Sequence, residues 1–278
     1  MLNLKKGLQL VLTFLMVVSL CQPAIAYEDA EKEKKKKDGP WETAAIMGGA
    51  FFANVDSSLD LGTSGVQGSV DGEDALGLNE NPIVWRIDAF YRITKRNRID
   101  FMYYDFSRKG DKFIGVQIDD PNNGTIPIGT EVKTKFDFRL GKVTWAYAFF
   151  KDERMEIFGG LGAYILSVDF KMQAEGIGKV EDTTFTYPLP AVRLGASFAI
   201  TDTVMLRQNV DFFYLAYKDF TGNIVDLGVN LDWNFWKYAG IGIGYNFMYM
   251  EASKDKDDFL SEVQMSYGGL LLYGKIYF

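Results

Sequence analysis

The chain has 278 residues, with 37 acidic and 30 basic side chains, a formal charge of −7, one cysteine and no histidine. The acidic balance argues against a nucleic-acid partner, the lone Cys21 excludes a disulfide framework, and the missing histidine removes the side chain that ordinarily titrates near neutral pH. Although the chain carries 22 Phe, 15 Tyr and 5 Trp, nothing beyond its first segment approaches the roughly 20 apolar residues of a transmembrane helix.

In chain order, Lys5 and Lys6 precede the run LQLVLTFLMVVSL and then QPAIA, with Ala24 and Ala26 spaced as a cleavage site. This reads as a signal peptide over 1–26, removed before Tyr27. The run is short for a membrane anchor, and Leu20 stands before Cys21 where a lipoprotein would have a small residue. Residues 27–40, YEDAEKEKKKKDGP, have too little apolar surface to fold and predict a disordered charged lead-in on the periplasmic side.

From Trp41 to Phe278 the apolar pattern has a period of two. In VDLGVNLDWNF, Val225, Leu227, Val229, Leu231, Trp233 and Phe235 alternate with Asp226, Gly228, Asn230, Asp232 and Asn234. That spacing is a strand with one apolar and one polar face. About ten such strands are expected, near 43–55, 82–93, 98–107, 134–150, 155–173, 187–200, 204–217, 224–235, 239–251 and 261–278, with eight as the alternative count. The alternation slips near Gly141 and again near Gly268–Gly269, predicting bulges there. Short connectors (94–97, 151–154, 201–203, 236–238) alternate with long ones (56–81, 108–133, 174–186, 218–223, 252–260), the rhythm of short periplasmic turns and long outer loops.

A soluble sandwich also alternates, but with its apolar face inward. Two bands of aromatics at opposite strand ends favour lipid outside. Tyr91, Trp145, Tyr147, Trp233, Phe235 and Trp236 lie beside short turns; Tyr103, Phe136, Phe170, Phe212 and Tyr249 lie towards long loops. The expected fold is a closed up-and-down antiparallel transmembrane β-barrel. Its polar faces place Arg86, Asp88, Arg92, Asp100, Asp137, Arg139, Arg193, Arg207, Asp211, Asp226, Asp232 and Lys275 in the lumen, where nearly balanced charges must pair. A barrel of this size is more readily filled by side chains than left open.

The last residues, LLLYGKIYF, must pair with the first strand, since an open edge cannot persist in lipid. Leu272, Gly274, Ile276 and the terminal Phe278 resemble the terminal signal of bacterial outer-membrane barrels, and the architecture is similar to small barrels of the OmpA, OmpX and OmpW kind. The resemblance implies insertion by the barrel assembly machinery, surrounding outer-membrane lipid and lipopolysaccharide, and both termini in the periplasm. Outer-membrane enzymes of similar architecture (omptin proteases, the outer-membrane phospholipase, lipid A palmitoyltransferase and deacylases) depend on a histidine that this chain lacks.

Other motifs point to no cofactor and no metal. GIGIGYNF at 240–247 lacks the helix a phosphate loop requires, and its glycines relieve crowding inside a narrow barrel. Asp119-Asp120-Pro121-Asn122-Asn123-Gly124 lacks EF-hand spacing and reads as a turn; Asn123-Gly124-Thr125 is a sequon of little meaning in a bacterial barrel, and Lys254–Asp258 reads as a solvated turn. Phe113, Ile114, Val116 and Ile118 suggest a hairpin above the membrane. The expected function is a non-enzymatic structural or surface role through the long loops. A small porin-like channel is the alternative, and a histidine-independent enzyme a remote one.

Overall fold

The computed structural model describes residues 40–63, 66–71, 81–113, 118–120, 124–126, 129–174, 178–217, 220–256 and 259–278. The signal peptide, nearly all of the lead-in, and the tips of the long loops (with Ile114, Val116 and Pro121–Asn123) lie outside these residues. The described elements are all strands: β1 (Ala44–Thr63), β2 (Val66–Asp71), β3 (Ile83–Arg92), β4 (Asn97–Phe113), β5 (Ile118–Asp120), β6 (Gly124–Ile126), β7 (Glu131–Lys151), β8 (Met155–Ala174), β9 (Gly178–Ala199), β10 (Val204–Tyr217), β11 (Phe220–Trp233), β12 (Ala239–Lys256) and β13 (Phe259–Tyr277).

Ten of them form one antiparallel barrel, β1-β3-β4-β7-β8-β9-β10-β11-β12-β13, and β13 returns to β1. The closing register runs from Ala45 opposite Tyr277 to Thr63 opposite Phe259. LLLYGKIYF therefore meets the first strand as expected, and Phe278 adds backbone bonds to Thr43 and Ala44. β2 folds back on the far half of β1, and β5–β6 is a separate small hairpin. Ile118 of the proposed loop hairpin lies in it, opposite Ile126.

Around the half bearing the short turns the barrel is inside out relative to a soluble protein. Trp145 is 46% exposed and Trp233 53%, whereas Asp226 and Asp232 are 4% and 0% exposed. An exposed belt of this size is stable only against lipid. Beyond it the polarity inverts. Tyr103, Gly141 and Ile165 stand opposite one another across β4, β7 and β8. Past that rung the outward residues become Asp105, Arg139 and Ser167, then Ser107, Asp137 and Asp169, then Lys109, Lys135 and Lys171. The inward residues change in the opposite sense, from Lys142 to Leu140, Phe138, Tyr104, Phe106, Leu166 and Val168, all buried. From Gly141 to Lys151 is about ten residues, ~33 Å of strand, which at a barrel tilt spans the ~25 Å apolar band. The rest of β7 turns polar side chains outward and packs a conventional apolar core inward.

This inversion corrects two expectations. The register is unbroken at Gly141 and at Gly268–Gly269; β7 slips against β8 instead between Ala148 and Phe150, with a second slip near Met172. The apparent slips record a change of solvent outside the barrel, not an extra residue. A Cβ at Gly141 would find nothing closer than 4.0 Å, so neither a bulge nor lack of room demands glycine there. Gly242 differs: a Cβ there would run into the Tyr273 ring, so this glycine leaves the space that a lumenal aromatic occupies.

Candidate functional site

The lumen of the membrane half is built by short inward side chains on some strands and long charged ones on others. β7 contributes Thr144, Ala146 and Ala148 beside Lys142, while β12 contributes Gly242 and Gly244. The charged residues collect around four carboxylate centres.

Asp211 accepts both arms of the Arg193 guanidinium (2.6 and 2.7 Å), Lys142 Nζ at 2.8 Å and Tyr164 OH at 3.2 Å. Lys142 and Tyr164 also donate to Asp226, each at 2.8 Å. Arg193 reaches onward to Asp100 at 3.1 Å, which Arg98 approaches at 2.8 Å. Nearer the short turns, Arg92 grips Glu156 with two bonds of 2.6 Å, with Lys151 at 3.7 Å and Arg98 at 3.9 Å. On the facing wall Lys275, fully buried, bridges Asp232 (2.9 Å) and Glu42 (2.5 Å). Asp232 also accepts from Arg207 at 2.8 Å and from Tyr273. Arg86 forms its own bidentate pair with Asp88, at 2.8 and 2.9 Å. Paired forks of this kind satisfy charge and geometry together.

The mouth at the short-turn end is closed by the residues preceding β1. Glu42 accepts from Asn234 at 2.7 Å, and its carbonyl accepts from Arg92 at 2.9 Å. The Trp41 indole donates to Asp152 O at 2.7 Å, and its ring lies under Arg92 and Lys151, at 5.9 and 5.2 Å. At the other end the lumen is filled by the apolar core. Phe106 stacks on Phe138 at 4.8 Å, Tyr267 meets Tyr104 and Phe51 edge-on at 5.9 and 6.0 Å, and the Tyr104 and Tyr267 hydroxyls are hydrogen-bonded. Between these ends a cavity of about 90 Å³ touches Lys142 and Arg193 of one centre and Arg207 and Tyr273 of another.

Of the residues assigned to the lumen from sequence, Arg86, Asp88, Arg92, Asp100, Arg193, Arg207, Asp211, Asp226, Asp232 and Lys275 face it. Asp137 and Arg139 do not. They lie beyond the Gly141 rung and point outward, Arg139 onto Asp169 and Asp137 onto Lys135 at 2.5 Å. They line an outer recess of about 490 Å³ with Trp85, Asp105 and Asp169, where β3 stops and β4 and β7 continue. Phe136 of the expected outer aromatic band likewise turns in against the core. Sequence reasoning missed Glu42, Arg98, Lys142, Lys151 and Glu156. Lys142 shares parity with Thr144 and Ala146 and was hidden by the supposed slip beside it; Arg98 shares parity with Asp100. Leu272, Gly274, Ile276 and Phe278 all face outward on the closing strand.

No family model matches the chain, and no curated protein matches it. Solved structures do. The outer membrane protease OmpT from Escherichia coli aligns with a TM-score of 0.53 at 8% identity, covering 84% of this chain and 97% of that one. The toluene transporter TodX from P. putida aligns at 0.34 and 7% identity (85% and 90% covered), and Neisserial surface protein A at 0.32 and 13% identity (85% and 97%). The chain thus has the fold of the outer-membrane β-barrels.

Proposed function

We propose that the protein is a closed barrel of the bacterial outer membrane, both termini periplasmic, which acts through its outer extension rather than by conducting solutes or catalysing a reaction. The observation that carries this reading is the filled lumen. Trp41 and Glu42 close one mouth, paired carboxylates fill the middle, and the Phe51–Tyr104–Phe138–Tyr267 core fills the other end. A permeating ion would have to separate buried pairs whose disruption costs several kcal/mol. The missing histidine supports the non-enzymatic reading. In planar bilayers the purified protein is expected to give no resolved single-channel steps. A steady current whose ion selectivity changes in Arg207→Ala while heat stability holds would show a conduit instead.

The outer extension has one surface suited to its surroundings. Lys109, Lys135 and Lys171 share an outward rung beyond the belt, which suits the phosphates of lipopolysaccharide. Three ammonium groups in one row are a surface that a phosphate can bridge, with Lys135 also holding Asp137. Changing all three to Gln is expected to reduce co-purifying lipopolysaccharide at least twofold with the heat-modification temperature unchanged; equal lipid content would remove this role. The outward Leu272, Ile276 and Phe278 suit recognition by the barrel assembly machinery.

A further inference from the structure

We propose that the outer recess beside the end of β3 binds a single-chain amphiphile with an ammonium head, its tail lying along the rim of the apolar belt. The recess, about 490 Å³, falls within the ~300–1,000 Å³ of small-molecule sites. Its two sides differ in chemistry. On β3, Ile83 and Trp85 point outward and are 66% and 75% exposed. On β4, β7 and β8 the outward lining is polar, with Asp105 and Ser107, then Asp137 and Arg139, then Asp169. Trp85 and Asp105 are the first residues beyond the Arg86–Tyr104 pair, so indole and carboxylate project from adjacent strands on the same face.

The ion pairs of the recess leave one carboxylate over. Arg139 stands opposite Asp105 in register, yet its guanidinium goes to Asp169. Asp137 is held by Lys135 at 2.5 Å. Among the described residues Asp105 has no ion-pair or hydrogen-bond partner, and no cation stands over the Trp85 ring. An alkyl tail laid over Ile83 and Trp85 removes their apolar surface from water. Its head then comes against Asp105, and this decides the charge. A neutral head would strip water from a carboxylate without supplying a partner, which costs free energy. A sulfate or phosphate head would bring a like charge, and Lys135, spent on Asp137, does not offset it. An ammonium head pairs with Asp105 and meets the Trp85 face as a cation–π partner.

The test uses the full mature barrel in nanodiscs of zwitterionic lipid, with empty nanodiscs as the reference for partitioning. Calorimetry compares octyltrimethylammonium, octyl glucoside and octyl sulfate. The ammonium should bind at one site per barrel, at least tenfold more tightly than either of the others. Asp105→Asn should weaken it at least tenfold. Trp85→Leu, which keeps an apolar side chain without the π face, should weaken it at least threefold. Both variants should keep the heat-modification temperature of the parent. Asp111→Asn, farther along β4 and outside the recess, should bind as the parent does. In crystals, a bromine-terminated octyltrimethylammonium should give an anomalous peak against Ile83 and Trp85. Equal affinity for all three amphiphiles, tighter binding of the sulfate, or ammonium binding that survives Asp105→Asn overturns the proposal. So does the absence of binding above that of empty nanodiscs.

Discussion

Asp211→Asn is expected to destabilise the barrel by about 3–5 kcal/mol, the cost of leaving a buried ion pair without one partner. Asp211 is 1% exposed and sits under two cations at once, with both arms of Arg193 on it and Lys142 shared with Asp226. An asparagine amide would turn a donor towards at least one of these donors. Asp226 cannot compensate, because Lys142 and Tyr164 already use it. The measurement is the urea midpoint and slope for unfolding from lipid vesicles. Adding Lys142→Met to Asp211→Asn removes the surplus charge but leaves Asp226 with Tyr164 alone, so the double variant should recover less than half of the loss. Arg139→Gln provides the contrast: its pair with Asp169 is largely exposed, with the Arg139 side chain 46% accessible, and its loss should cost no more than about 1 kcal/mol. A change below 1 kcal/mol in Asp211→Asn would mean that the lumen is wet enough to screen its charges.

What the sequence made legible depended on where each strand sat. Within the membrane half the strict alternation of Val229, Leu231 and Trp233 with Asp226 and Asp232 has one physical reading, and the closure of β13 on β1 follows from the intolerance of lipid for open edges. The rule used to orient faces, apolar outward, assumes lipid outside. It fails at Asp137 and Arg139, where water is outside and the same strand must turn Phe138 and Leu140 inward. Parity is preserved across Gly141 while meaning reverses, so a reader following polarity infers a bulge. Glu42 was hidden differently. It precedes the first strand, in a segment with no periodicity, and only the closed fold brings it to Lys275. No local pattern encodes a pairing across 233 residues of chain. Glu156, at the second position of β8, had too little strand before it for its face to be read.

If the Gly141 rung marks the edge of the bilayer, charge should be costly on one side of it and harmless on the other. Ile243→Arg, on an outward position in the middle of the belt, is expected to cost about 2–4 kcal/mol in folding free energy, the penalty for arginine deep in the apolar layer, and Val143→Arg, one outward position inside the rung, less than that. Ser167→Arg, outward on β8 and only one outward position beyond Ile165, should cost about 0–1 kcal/mol. Gly141→Arg at the boundary should fall between, since a long side chain can carry its charge up to water. The readout is folding into vesicles of defined thickness. Thicker bilayers should raise the cost at Gly141 and leave Ile243 almost unchanged, because only positions near the rung then become more deeply submerged. A uniform cost from Val143 through Ser167 would place the membrane edge higher on the barrel, and the apolar core around Phe138 and Tyr267 would then lie within the bilayer. A uniformly small cost would mean that the belt does not face lipid. The polarity inversion makes the two halves stable for different reasons: below the rung ion pairs stabilise the lumen inside lipid, and above it apolar burial stabilises a core inside water.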